Sequence, residues 1–172
     1  MNVLIVVLRL IHIFSGIFWV GVSLFNIQYL QPSVRATAPE SQKLMQHLTQ
    51  RTRFLNAVYG SATLTMLSGL LMYWILFGFR PAAMLSPYGL VLGIGGVAGI
   101  IAWLVVIFVV RDIFQQMGAV GRAVQAQGGP PTPEQAQQLG ALSARLADLG
   151  RWGLLLQTIA VVAMSVAQYV SF

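Results

Sequence analysis

The stretch Leu90-Val-Leu-Gly-Ile-Gly-Gly-Val-Ala-Gly-Ile-Ile-Ala-Trp-Leu-Val-Val-Ile-Phe-Val-Val110 decides the fold. It carries no charged residue and ends abruptly at Arg111-Asp112. About 20 apolar residues in a helix cross the hydrocarbon core of a bilayer, and in lipid a helix satisfies its own backbone. Three other stretches share this character, so the spans are expected at about 3–28, 54–78, 88–110 and 152–171. The whole chain agrees: of 172 residues, 57% are hydrophobic and 8% charged, with mean hydropathy +0.76. Soluble domains carry about 25% charged residues, so water cannot be the only solvent here. The expected fold is all-α, a single polytopic four-helix transmembrane bundle over residues 1–172.

What is missing excludes much chemistry. There is no cysteine, which removes disulfides, thiolate metal sites and cysteine nucleophiles. Two histidines are too few for any site built on three imidazoles. The run Val3–Phe25 is longer than a signal-peptide core, and Met1-Asn2 brings no basic residue, so it reads as the first span. The net charge of +6 reads as membrane topology rather than nucleic-acid binding.

The polar connections contain helix starts. Thr37-Ala-Pro-Glu40, Ser86-Pro87 and Thr132-Pro-Glu-Gln135 each place a capping residue before a proline, and Gly128-Gly-Pro-Pro131 is a break. Helices two to four therefore run over about 38–78, 87–127 and 133–170. At 1.5 Å per residue they are roughly 55–60 Å long and must protrude from a core of about 30 Å. The extensions, about 38–53 and 111–151, lie on one side with Arg35, Lys43, Arg51, Arg53, Arg111, Arg122, Arg145 and Arg151. The positive-inside rule makes that side cytoplasmic, with both termini outside.

Leu139, Leu142, Leu146 and Leu149 are spaced three, four, three; Ile113, Met117, Val120 and Val124 are spaced four, three, four. This is a coiled-coil-like seam that folds back into a cytoplasmic helical hairpin. It either stabilises the bundle or offers a protein partner a docking surface. Gly89, Gly93, Gly95, Gly96 and Gly99 contain two G-xxx-G spacings. Such faces bring helices close in lipid, within one bundle or in a homo-oligomer, and they also leave room beside a flat cofactor.

His12 is the residue to explain. An ionisable side chain inside a membrane helix is costly and marks a functional candidate. Arg9 precedes it on the same helix face; Trp19 and Gly21 follow. Three roles stand open for His12: a hydrogen bond to a buried carbonyl or hydroxyl, ligation of haem iron, or copper or proton transfer. His47 lies on the order of 30 Å away by helix rise and reads as a solvated surface histidine. No acidic residue lies within a span, so a carboxylate proton relay is not expected.

The pattern Arg9-Leu-Ile-His12, continued by Trp19 and Gly21, resembles the first helix of the CopD-like and HemJ-like bacterial inner-membrane families. Ser68-Gly69 is similar to the small-residue pair of their second helix. The resemblance implies a bacterial inner-membrane protein with a b-type haem ligated by His12, serving redox chemistry or haem and porphyrin handling. Through the CopD-like branch it implies copper passage. Arg9 stands where HemJ-like proteins carry Lys, and the seven methionines are scattered rather than clustered with histidine. Of the implied properties, haem binding fits these departures best. Met66 and Met164 lie about one turn below His12 as candidate second ligands, and Arg9 and Arg80 are placed to meet propionates. A cofactor-free scaffold that docks a partner through the hairpin is the alternative.

Overall fold

The computed structural model describes residues 3–37, 40–78 and 80–170. Every element among them is helical. We number them α1 (Val3–Ala36), α2 (40–51), α3 (Phe54–Phe77), α4 (Pro81–Met84), α5 (Pro87–Ala126) and α6 (Pro133–Tyr169). Four of these, α1, α3, α5 and α6, are long and apolar enough to span a membrane. The chain is a multi-pass, all-α membrane protein in contact with lipid.

The outside of the bundle is greasier than its inside. Phe14, Ile17, Leu67, Ile94, Val97 and Val162 are each more than half exposed, as side chains facing acyl tails should be. The buried positions of the spans are mostly small: Ala62, Ser68, Gly95, Ala98, Ala102, Ala160, Ala163 and Ala167. Lipid is as apolar as leucine, so expelling side chains from it gains little. Close backbone approach and interhelical hydrogen bonds hold such bundles instead. The helices pair on this basis, α1 on α3 and α5 on α6, with sparser contacts between the pairs. Larger buried side chains are fewer, among them Leu8, Met66, Phe77 and Trp19. Trp19 is 3% exposed and fills the centre against Ala62 and Ala102.

Local signals place most boundaries. Ser86 Oγ accepts the Gly89 N–H at 3.1 Å, with Pro87 in the first turn of α5. Thr132 and Gln135 form the reciprocal capping box that starts α6. The start expected at Thr37-Ala-Pro-Glu40 falls on Ala38, Pro39 and the side chain of Glu40, which lie outside the described residues.

Two helix extents differ from expectation. The helix expected over 38–78 is broken: Thr52 is extended at φ −105°, ψ 171°, and α3 begins afresh at Phe54. The first helix runs on to Ala36 despite Pro32. It does so through a wide turn at Asn26–Leu30, in which the Gln31 N–H bonds Asn26 O five residues back. Widening the turn relieves the clash that a proline ring makes with the preceding turn.

Beyond residue 110, α5 and α6 continue as an antiparallel pair joined at 127–132. The residues of the expected seam are at least half-buried. Ile113, Val120 and Leu142 are buried, and Met117, Val124, Leu139, Leu146 and Leu149 are half-buried. Thr132→Ala removes the cap and is expected to cost about 1 kcal/mol. Hydrogen exchange at the Gln135 amide should quicken about fivefold, while exchange in the spans stays unchanged.

Candidate functional site

The site is built where α1 meets α3. His12 Nδ1 lies 2.8 Å from the backbone oxygen of Thr65. A carbonyl only accepts, so the Nδ1–H donates, and in the neutral ring Nε2 keeps its lone pair. Ser68 Oγ stands 3.4 Å from the same nitrogen. Its own hydrogen is directed at Leu64 O, 2.6 Å away, or Thr65 O, 3.1 Å away.

Gly69 makes this reach feasible. It sits four residues after Thr65, where a side chain would cover the Thr65 carbonyl from the α1 side. A Cβ on Gly69 would fall 2.8 Å from His12 Cε1 and 3.1 Å from Nδ1. The imidazole thus occupies the space that the missing side chain leaves. One turn along, the Thr65 hydroxyl donates to Ser15 Oγ at 2.9 Å, and Ser15 donates to Ile11 O at 2.5 Å. Gly16 faces Thr65 Cγ2 there, with 3.5 Å to a hypothetical Cβ. Thr65 therefore receives α1 twice, with its backbone at His12 and its hydroxyl at Ser15.

The other candidate residues are distributed around this contact. Trp19 packs in the bundle centre, and its indole Nε1 is buried without a partner. Met66 is buried, with its Cε 4.0 Å from where a Gly99 Cβ would lie; Met164 Cγ is 3.2 Å from the same point on Gly95. Both methionines fill the glycine face of α5. Arg9 is exposed on α1, and Arg80 is exposed at the cap of α4. His47 is exposed, as expected for a solvated histidine, and nothing lies within 4 Å of a Cβ built on Gly21.

Further polar contacts join the pairs. Trp103 Nε1 donates to Thr63 Oγ1 at 3.2 Å, linking α5 to α3. Gln157 Nε2 donates to Ser23 Oγ at 3.1 Å, linking α6 to α1. Gln157 is 3% exposed, and its Oε1 and the Tyr59 hydroxyl, like the Trp19 indole N–H, are buried with no partner.

Among the described residues no group of three or more His, Asp or Glu side chains converges as a metal site. Comparison with protein-family models, with curated proteins and with solved structures gives no match.

The His12 seat yields a paired prediction. Gly69→Ala must displace the imidazole and is expected to destabilise the protein by about 1–3 kcal/mol, the usual cost of overpacking. Gly21→Ala has free space and should be neutral or mildly stabilising, by up to about 1 kcal/mol. Equilibrium unfolding of both variants in mixed detergent reads the difference.

Proposed function

We propose that the chain is a b-type haem-binding protein of the bacterial inner membrane, with His12 as an axial ligand. Its role is redox chemistry or haem and porphyrin handling, in line with its resemblance to the CopD-like and HemJ-like families. The observation that carries the reading is the 2.8 Å bond from His12 Nδ1 to Thr65 O. It is the hydrogen bond to a buried carbonyl, the first of the open roles for His12, and it supports ligation by fixing the ring and keeping the Nε2 lone pair available, as in a metal-binding imidazole. A ligand set of one histidine suits a macrocycle that supplies four nitrogens of its own, and suits copper passage less.

Bound haem supplies one-electron chemistry at its iron. The protein's part is to hold and orient. Thr65 and Gly69 set the angle of the imidazole, and the surrounding apolar spans keep bulk water away. Arg9 and Arg80, exposed at the end of the bundle away from the basic cluster, have the charge to pair with propionates. The arginine-rich end faces the cytoplasm by the positive-inside rule, which leaves both termini outside. The hairpin beyond residue 110 is then cytoplasmic.

Absorption spectra of protein purified after expression with a haem precursor test the reading. A Soret band with sharp reduced α and β bands is expected in the wild type, and its loss in His12→Ala. A visible spectrum without these bands, or one unchanged in His12→Ala, would falsify the assignment.

A further inference from the structure

Away from His12, at the basic end, α2 and the extension of α5 enclose a cleft of about 650 Å³. Its lining includes two arginines from separate elements, Arg51 and Arg122, with Gln50, Gln115 and Phe114. Gly118 forms part of the floor. From the position of a Cβ on Gly118, Arg122 Nη1 lies 3.5 Å away and Gln50 Nε2 3.9 Å away. Arg122 thus folds back one turn along α5, and donors from α2 and α5 converge over bare backbone.

Among the described residues no acidic side chain lines this cleft. The ion pair among the described residues is elsewhere, Arg151 with Asp148 at 3.6 Å. Asp112 is taken by Gln116 Nε2 at 2.6 Å, and Glu134 sits at the start of α6 beside the hairpin tip. Two arginines lining one cleft, with no carboxylate among its described residues, favour an anion there. Guanidinium and amide donors together match the oxygens of a phosphate group.

The level of the cleft indicates the source of that phosphate. The apolar run of α5 ends at Val110. Phe114 is then roughly 6 Å and Gly118 roughly 12 Å beyond the hydrocarbon edge by helix rise. The headgroup layer occupies roughly 5–8 Å on each face. The cleft therefore opens from the headgroup layer outward, with an aromatic ring at its membrane end and cations beyond. Phe114 and Gln115 lie at the headgroup level and Gly118 a few ångströms past it, so a lipid phosphate would meet the donors at the outer edge of that layer, where basic pockets beside membrane helices hold anionic headgroups.

We propose that this cleft is a binding site for the phosphate of an anionic membrane lipid, held by Arg51 and Arg122 with Gln50 and Gln115 as neutral donors. Native mass spectrometry of the full chain, released from nanodiscs of mixed phosphatidylglycerol and phosphatidylcholine, tests it. Wild-type protein is expected to retain phosphatidylglycerol in preference to phosphatidylcholine. Arg51→Gln/Arg122→Gln should lower that retention about tenfold, and Arg51→Lys/Arg122→Lys should restore part of it. Arg35→Gln/Arg145→Gln removes the same charge from exposed positions outside the cleft and should leave retention unchanged. Equal loss in both glutamine variants, or no lipid preference in the wild type, would overturn the proposal. A separate titration with inorganic phosphate distinguishes a soluble ligand. Saturable binding of phosphate that needs both arginines, without phosphatidylglycerol retention, would overturn the lipid assignment. Thermal unfolding of each variant confirms that lost retention is not lost fold.

Discussion

The structure depends on how closely α1 and α3 approach, and that distance is set by what their contact lacks. In lipid, large apolar side chains gain little by turning inward, so they face outward, as Phe14 and Leu67 do. The inner face is left to glycine, alanine and short hydroxyl residues. Gly16 and Gly69 bring the two backbones near enough for hydrogen bonds to cross, and His12 uses that proximity to reach Thr65 O. An imidazole inside a membrane needs such a partner, because an unsatisfied polar group in hydrocarbon costs several kcal/mol, of order 2–7. The same logic joins α6 to α1 through Gln157 and Ser23, and α5 to α3 through Trp103 and Thr63.

Much of this was legible before any coordinates, and for local reasons. The spans follow from uninterrupted apolar runs, and the caps at Ser86 and Thr132 follow from neighbouring residues alone. The hairpin seam followed from its spacing, because a helix converts three- and four-residue steps into one face. Two boundaries escaped. The break at Thr52 carries neither proline nor glycine, and nothing in the residues around it marks the change. The first span was expected to close near residue 28, and the helix runs on to Ala36 through one widened turn before Pro32.

The site was half legible. His12 stood out by its cost, and Ser68-Gly69 stood out as small residues in an apolar helix. That they touch depends on the register between two helices, which spacing within either one does not encode. The role of Thr65 was hidden further, since its contribution at His12 is a backbone oxygen common to every residue. The signal that locates it is Gly69, the residue whose missing side chain uncovers that oxygen. Trp19 stood in the sequence as part of the first-helix pattern, and it fills the bundle centre. The cleft at Arg51 and Arg122 escaped because its charges looked like topology signals, and its glycine, Gly118, looked like ordinary helix interior.

The central claim is that Nδ1 of His12 carries the proton and Nε2 the free lone pair. Nitrogen-15 spectra of the His47→Gln protein, labelled at histidine and free of added cofactor, report this for a single imidazole. The expected result is a protonated Nδ1, hydrogen-bonded to a carbonyl, with an unprotonated Nε2. A ring protonated at Nε2 and bare at Nδ1 would contradict the account, since such a ring neither donates to Thr65 O nor offers Nε2 to a metal.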